Sequence, residues 1–283
     1  MQECALQEHG ATDKEPDLTE EIVQAKHYQV GSAKLEVRLT SEAAGAAAAL
    51  AAAGALIELA RTHEAIAVIF ATGASQIETL KSLTRIESLP WSQIRGFHMD
   101  EYVGIAADHP ASFRRYLRER LTEKVKMKHF LEIDGSANDP EGTCRAYAEA
   151  IRAADPQLCL LGIGENGHLA FNDPPIADFN DPVDVKIVEL DRACRQQQTA
   201  EGWFKGVEDV PQHAITLTIP ALLRVPKLIV SVPGKRKATI VRRAFTEQIS
   251  TACPATILRT HPDVTVYLDL ESANELGGIL DSQ

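Results

Sequence analysis

A short apolar run, Leu158-Cys159-Leu160-Leu161, breaks at Gly162 and Gly164 and opens into Glu165, Asn166, His168, Asn172 and Asp173. Such a run, bounded by glycine behind and by Pro156 in front, describes a strand buried on both faces of a parallel sheet. A chain carrying such a strand must supply helices for both faces, which points to the α/β class. Sites in that class sit in loops at the carboxyl ends of strands. Glu165, His168 and Asp173 fall within nine residues, and the glycines let the backbone fold tightly enough for these side chains to converge. A histidine flanked by carboxylates is oriented for general acid/base work. A polar turn around a hydrogen-bonded histidine explains the same residues, and the loop by itself leaves both readings open.

The pattern recurs along the chain. Ala65 to Ala71 is apolar and β-branched, and Thr72-Gly73-Ala74-Ser75-Gln76 turns it into a helix through about Leu83. A strand, a small-residue turn and a helix start present backbone N–H groups to an anion. Many βα turns contain such a glycine for steric reasons alone. Ile94 to Met99 reads as a further strand that delivers Asp100-Glu101 to the same edge. Before these, Leu35 to Leu39 alternates as a strand, and Ser41-Glu42 caps an alanine-rich helix to about Thr62. Ser112 to about Lys126 and Glu141 to about Ala154 read as helices. Past Pro182, strands are expected at Val183 to Leu190, Ala214 to Ile219, Lys227 to Val232 and Val264 to Leu268. A helical turn is expected at Pro220 to Leu223, with helices ending near Phe245 and starting at Glu271; Cys194 to Gly206 receives no assignment. The alternation predicts one three-layer αβα sandwich, Rossmann-like and mostly parallel, over residues 30–283, behind a polar extension of residues 1–29. Its crevice would gather Thr72 to Ser75, Asp100 and Glu165 to Asp173.

A formal net charge of −11 argues against nucleic acid or an anionic membrane as the main partner. An anionic substrate then needs a local basic pocket, and Lys235-Arg236-Lys237 after an apolar strand offers one. A solvated charge run is the plain alternative. Five scattered cysteines without a C-x-x-C pair read as reduced thiols in a cytoplasmic protein. Ala43 to Ala60 lacks the bulk of a membrane span, and no secretory signal is expected. No histidine cluster has metal-site spacing, so neither metal nor cofactor is expected. His98 reads as a packed neighbour, and Trp203 as either a pocket cover or a packing residue.

Taken together, FHMDEYVG (Phe97 to Gly104) and GIGENGHLAFNDPP (Gly162 to Pro175) resemble the glucosamine-6-phosphate deaminase (isomerase) family. That family lies within the glucosamine/galactosamine-6-phosphate isomerase and 6-phosphogluconolactonase superfamily. The likeness runs from about Val37 to Leu280 and includes ATGAS, VPQHAITLTIPALL, LRTHPDV and LDLESA. It implies an amino-sugar phosphate as the small-molecule partner, with conversion of glucosamine 6-phosphate to fructose 6-phosphate and ammonia. Asp100 would be the base, His168 would open the sugar ring, and Glu165 and Asp173 would orient His168. Thr72, Gly73, Ala74, Ser75 and Lys237 would hold the phosphate.

Two departures stand out. Many family members carry Asp where Glu165 stands and Glu where Asp173 stands. They also commonly carry an Arg where Gly202 precedes Trp203-Phe204, with Arg195 and Lys205 as candidate substitutes. A lactone phosphate hydrolase and a non-catalytic sugar-phosphate sensor are the alternative readings. The M-D-E-Y segment favours the deaminase, because lactone hydrolysis needs no carbon base. Homo-oligomerisation and sugar stereochemistry stay open.

Overall fold

The structure is a computed structural model and describes residues 25–200 and 202–276. Its elements run β1 (Lys26–Val30), β2 (Ala33–Arg38), α1 (Ser41–Leu59), β3 (Ile66–Phe70), α2 (Ile77–Leu83), β4 (Ile94–His98), β5 (Asp100–Tyr102), α3 (Phe113–Leu117) and β6 (His129–Leu131). They continue as α4 (Pro140–Ala154), β7 (Leu158–Leu161), β8 (Val185–Glu189), α5 (Arg192–Ala200), β9 (His213–Leu217), α6 (Ile219–Leu223), β10 (Lys227–Ser231), α7 (Ala238–Thr246) and β11 (Val264–Asp269).

The main sheet has the order β1-β2-β11-β10-β7-β3-β4-β6. All its pairings are parallel except the β1–β2 hairpin. Because side chains alternate along a strand, β3 sends Ala67 and Ile69 into one core and Ile66, Val68 and Phe70 into the other. Strand β7 divides likewise, Cys159 and Leu161 against Leu158 and Leu160. Both faces are therefore buried, which is why these strands are continuous apolar runs rather than alternating ones.

Helices α1, α2 and α3 cover one face through Ala48, Ala52, Leu56, Leu80, Leu83, Tyr116 and Leu117. Helices α4, α6 and α7 cover the other through Tyr147, Ile151, Leu222, Ile240, Val241 and Phe245. Helix α1 has the length and apolarity of a membrane span, yet Ala48, Ala49, Ala52 and Leu56 are wholly buried in the core. Thr40 caps it, its Oγ1 accepting from Ala43 N at 3.2 Å. The expected three layers and mostly parallel sheet are present.

Several local expectations change. Strand β1 takes in the last residues of the stretch read as an extension, and residues 1–24 lie outside the described residues. Helix α3 gives way after Leu117 to a π turn at Arg118–Thr122 instead of running to Lys126. Most of the stretch without an assignment folds as helix α5. Residues 270–276 are turns where a helix was expected, and residues 277–283 lie outside the described residues. Strands β8 and β9 do not join the main sheet. With β5 they form a separate antiparallel sheet, β5-β9-β8, in which Asp100 pairs with Thr216.

The chain moves from β3 to β4 and β6 on one side, then returns to place β7 and β10 on the other. The β3–β7 junction is therefore the topological switch point, where α/β sheets open a crevice at their carboxyl ends.

Candidate active site

Four neighbouring strands, β10, β7, β3 and β4, aim their carboxyl ends at one cavity of about 450 Å³. From β3 come Thr72, Gly73, Ala74 and Ser75; from the end of β4, Asp100; from β7, Glu165 and His168; from β10, Lys235, Arg236 and Lys237. Helix α5 adds Gln197 and Gln198. Two turns share a backbone form: Gly73 (φ 89°) and Gly234 (φ 96°) each begin a short 3-10 turn that leads into α2 or α7. Left-handed φ favours glycine, so each turn bends sharply off its strand. Gly234 N donates to Asp269 Oδ2 at 2.8 Å, and Gln76 Nε2 donates to the Leu161 carbonyl at 3.0 Å, which fixes both turns to neighbouring strands.

His168 is held from three directions. Its Nδ1 meets Asp173 Oδ1 at 3.0 Å, its backbone N donates to Asn166 Oδ1 at 3.0 Å, and its carbonyl accepts from Gly164 N at 3.0 Å. Asn166 closes the triangle, its Nδ2 donating to Asp173 Oδ1 at 2.7 Å. The imidazole lies so close over Gly164 that a Cβ there would stand 2.2 Å from the ring, so this position tolerates only glycine. Asn172 Nδ2 donates to the Leu169 and Leu217 carbonyls at 2.8 Å each, pinning the loop to β9. Burial pushes Asp173 up, and the His168 and Asn166 interactions outweigh it, leaving the carboxyl below the usual range. Cys194 Sγ lies within 4.8 Å of ligand atoms of His168 and Asp173. Burial and the Asp173 charge push its thiol far up, so it remains a protonated, packed thiol.

Asp100 presents the opposite condition. It is buried, and its Oδ1 has no hydrogen-bond partner among the described residues. Burial, with the Glu101 charge behind it, raises the carboxyl well above the usual range. Adjacent Glu101 is fully occupied. It accepts from Ser112 Oγ (2.7 Å), Arg114 N (3.0 Å), Phe113 N (3.1 Å) and Tyr102 N (3.0 Å), and so anchors the start of α3. Of the two, only Asp100 lines the cavity.

Lys237 also lines the cavity, and its Nζ donates to the Ile163 carbonyl at 2.8 Å. His98 is packed as expected. Its Nε2 accepts from Ile133 N at 2.7 Å, and burial lowers it to about 3, so it stays neutral. Trp203 packs edge-on against Tyr116 with centroids 6.0 Å apart, and Phe204 lies in a small core with Tyr102.

Of the residues expected to form the site, Thr72 to Ser75, Asp100, Glu165, His168 and Lys237 line this cavity, while Asp173 does not line it and reaches it only through His168. One expected contact is missing. Glu165 does not reach His168; its Oε1 sits 2.8 Å from Arg236 Nε. Asn166, the next residue, takes the orienting place beside His168 that had been expected of Glu165. Its amide donates to the carboxylate while its oxygen accepts from the backbone, a double duty a glutamate cannot perform. The signal was present in the loop, but side-chain direction in a tight turn is not readable from spacing. Neither Arg195 nor Lys205 is among the lining residues; the cations of the wall all belong to the Lys235-Arg236-Lys237 turn.

A parallel α/β sheet whose crevice sets a lone buried acid and a carboxylate-held histidine beside a cationic turn defines an acid/base enzyme for an anionic small molecule. Residues 39–267 match the family model described as glucosamine-6-phosphate isomerases/6-phosphogluconolactonase, and the chain belongs to that family. A glucosamine-6-phosphate deaminase of Bacillus thuringiensis is 36% identical over 216 residues, 76% of this chain and 80% of that protein. A solved monomeric glucosamine-6-phosphate deaminase of the NagB superfamily superposes with a TM-score of 0.78 at 30% identity, over 85% of this chain and 99% of the other. A Thermotoga maritima 6-phosphogluconolactonase shares the fold, with a TM-score of 0.61 at 22% identity over 75% and 89% of the two chains.

Proposed function

We propose that this chain converts glucosamine 6-phosphate and water to fructose 6-phosphate and ammonia. The observation that carries the reading is Asp100, a buried carboxylate with an unpartnered oxygen on the wall of the cavity that also holds His168. Such a group, raised by burial and by the Glu101 charge, is a stronger base than an exposed carboxylate.

With Nδ1 held by Asp173, His168 offers Nε2 to the sugar. It moves a proton from the anomeric hydroxyl to the ring oxygen, opening the pyranose to the aldehyde. Asp100 then takes the C2 proton while the aldehyde oxygen takes one from the substrate's ammonium group, giving a 1,2-enolamine, and Asp100 returns its proton at C1, leaving a protonated imine at C2. Water adds to that imine and ammonia departs, which leaves the ketose. The phosphate lies against the Thr72, Gly73, Ala74 and Ser75 turn, with Lys237 as its cation. No cofactor enters this sequence of steps. Cys144, Cys159, Cys194 and Cys253 are buried and unpaired, which supports a reducing, cytoplasmic setting.

Ammonia release, measured across a panel of amino-sugar 6-phosphates beside hydrolysis of 6-phosphogluconolactone, tests the reading. Release from glucosamine 6-phosphate with no lactone turnover is expected. Lactone turnover without ammonia would overturn it.

A further inference from the structure

We propose that Arg236 is a phosphate-binding residue of the substrate site, which Glu165 holds in reserve and yields when a phosphosugar enters. This deepens the phosphosugar reading above and rests on it. Arg236 stands between Lys235 and Lys237 on the turn after β10, and all three line the cavity that Gly73 and Ser75 also line. Its Nε is 2.8 Å from Glu165 Oε1. The pair is loosely kept: the Arg236 side chain is 53% exposed and that of Glu165 is 30% exposed. Exposed pairs of this kind contribute little.

A phosphate is the stronger competitor for the guanidinium, because it carries more charge than a carboxylate and accepts two parallel N–H bonds from the fork. There is also room for the exchange. Arg236 and Glu165 both wall a second cavity of about 330 Å³, bounded by Ala193, Gln196 and Ala200 of α5, so the guanidinium stands on the partition between two open spaces. Glu165 thus keeps the cationic turn neutralised until an anion of higher charge arrives, and surrenders Arg236 to it. Freed of its partner, the Glu165 carboxylate then faces the second cavity, away from the phosphate.

Calorimetric titration with inorganic phosphate and with glucosamine 6-phosphate tests the exchange in the parent, Glu165→Gln, and the double variant Glu165→Gln/Arg236→Gln. Glu165→Gln should bind both ligands several-fold more tightly than the parent, since the competitor for Arg236 is gone. Adding Arg236→Gln should then lower affinity about ten-fold or more, the scale of a lost charge-assisted contact, while unphosphorylated glucosamine is unaffected. A drop of less than about two-fold, the size expected of a screened bystander charge, would overturn the exchange and leave the phosphosugar reading standing. A parent that binds neither phosphate nor glucosamine 6-phosphate would overturn both. Both side chains are partly exposed, so the variants should keep the parental melting temperature, measured alongside.

Discussion

The two walls of the cavity treat their acids in opposite ways. On the β7 side, Asp173 is tied to His168 and Asn166 and held below the usual carboxylate range, so it stays charged and fixes the imidazole. At the end of β4, Asp100 has an unpartnered oxygen and is raised well above that range. Both are buried, so burial alone does not decide the outcome; the neighbours do, His168 and Asn166 drawing Asp173 down while the Glu101 charge pushes Asp100 further up. A carboxylate with donors is a positioning group, and one without them is ready to exchange a proton. On β5 the neighbours differ in another way: Glu101 has spent its oxygens on α3, though burial outweighs those donors and still raises it, whereas Asp100 has not.

The largest effect should come from breaking the occupied acid beside the reactive one. Glu101→Ala strips Arg114 of a buried partner and should cost about 3 kcal/mol of stability, the scale of breaking one half of a buried ion pair, read by chemical denaturation. A loss well below 1 kcal/mol would mean that Glu101 does not anchor α3.

Asp100→Asn should leave phosphosugar binding intact and lower kcat for ammonia release by about 10² or more. The same variant sharpens the comparison through stability. Because the folded carboxyl is raised, its contribution is fully present below the ordinary pKa and is lost as pH rises toward the folded one. The asparagine variant should therefore melt higher than the parent at pH ~8, with the gap closing near pH ~4. A gap that widens on acidification would refute an uncharged preference at Asp100.

Next comes the His168 wall. His168→Gln should cost most of the turnover on ring-closed substrate, and adding Asp173→Asn should cost little more, since groups acting as one unit are not additive. Glu165→Gln in the parent, unlike Asp173→Asn there, should leave ring opening alone, because its carboxylate is on Arg236 rather than on the imidazole. If instead His168→Gln lowers only the melting temperature while each folded molecule keeps its turnover, the histidine is structural.

Smallest of the four is Lys237→Ala, which should weaken glucosamine 6-phosphate binding by about 1.5–3 kcal/mol relative to glucosamine. Equal losses for both ligands in calorimetry would remove Lys237 from the phosphate site.

Much of this is legible in the order of the residues alone. Parallel strands buried on both faces must be apolar throughout, so Ala65 to Ala71 and Leu158 to Ile163 announce the sheet, and their carboxyl ends locate the cavity. Asp100, His168, Asp173 and Lys237 follow from that logic together with the family resemblance, and they line or support one cavity. Other features depend on contacts between residues far apart in the chain. The second sheet exists because Asp100–Tyr102 pairs with β9, over a hundred residues on, and nothing local in DEY foretells that partner. Asn166 takes the place expected of Glu165 because side-chain direction in a glycine turn follows from backbone angles such as the Gly167 φ of 93°, which spacing does not encode. The charge state of an acid is likewise beyond the sequence. Asp100 and Glu101 are adjacent and chemically alike, and only the packing of α3 against Glu101 decides which one keeps a lone pair for chemistry.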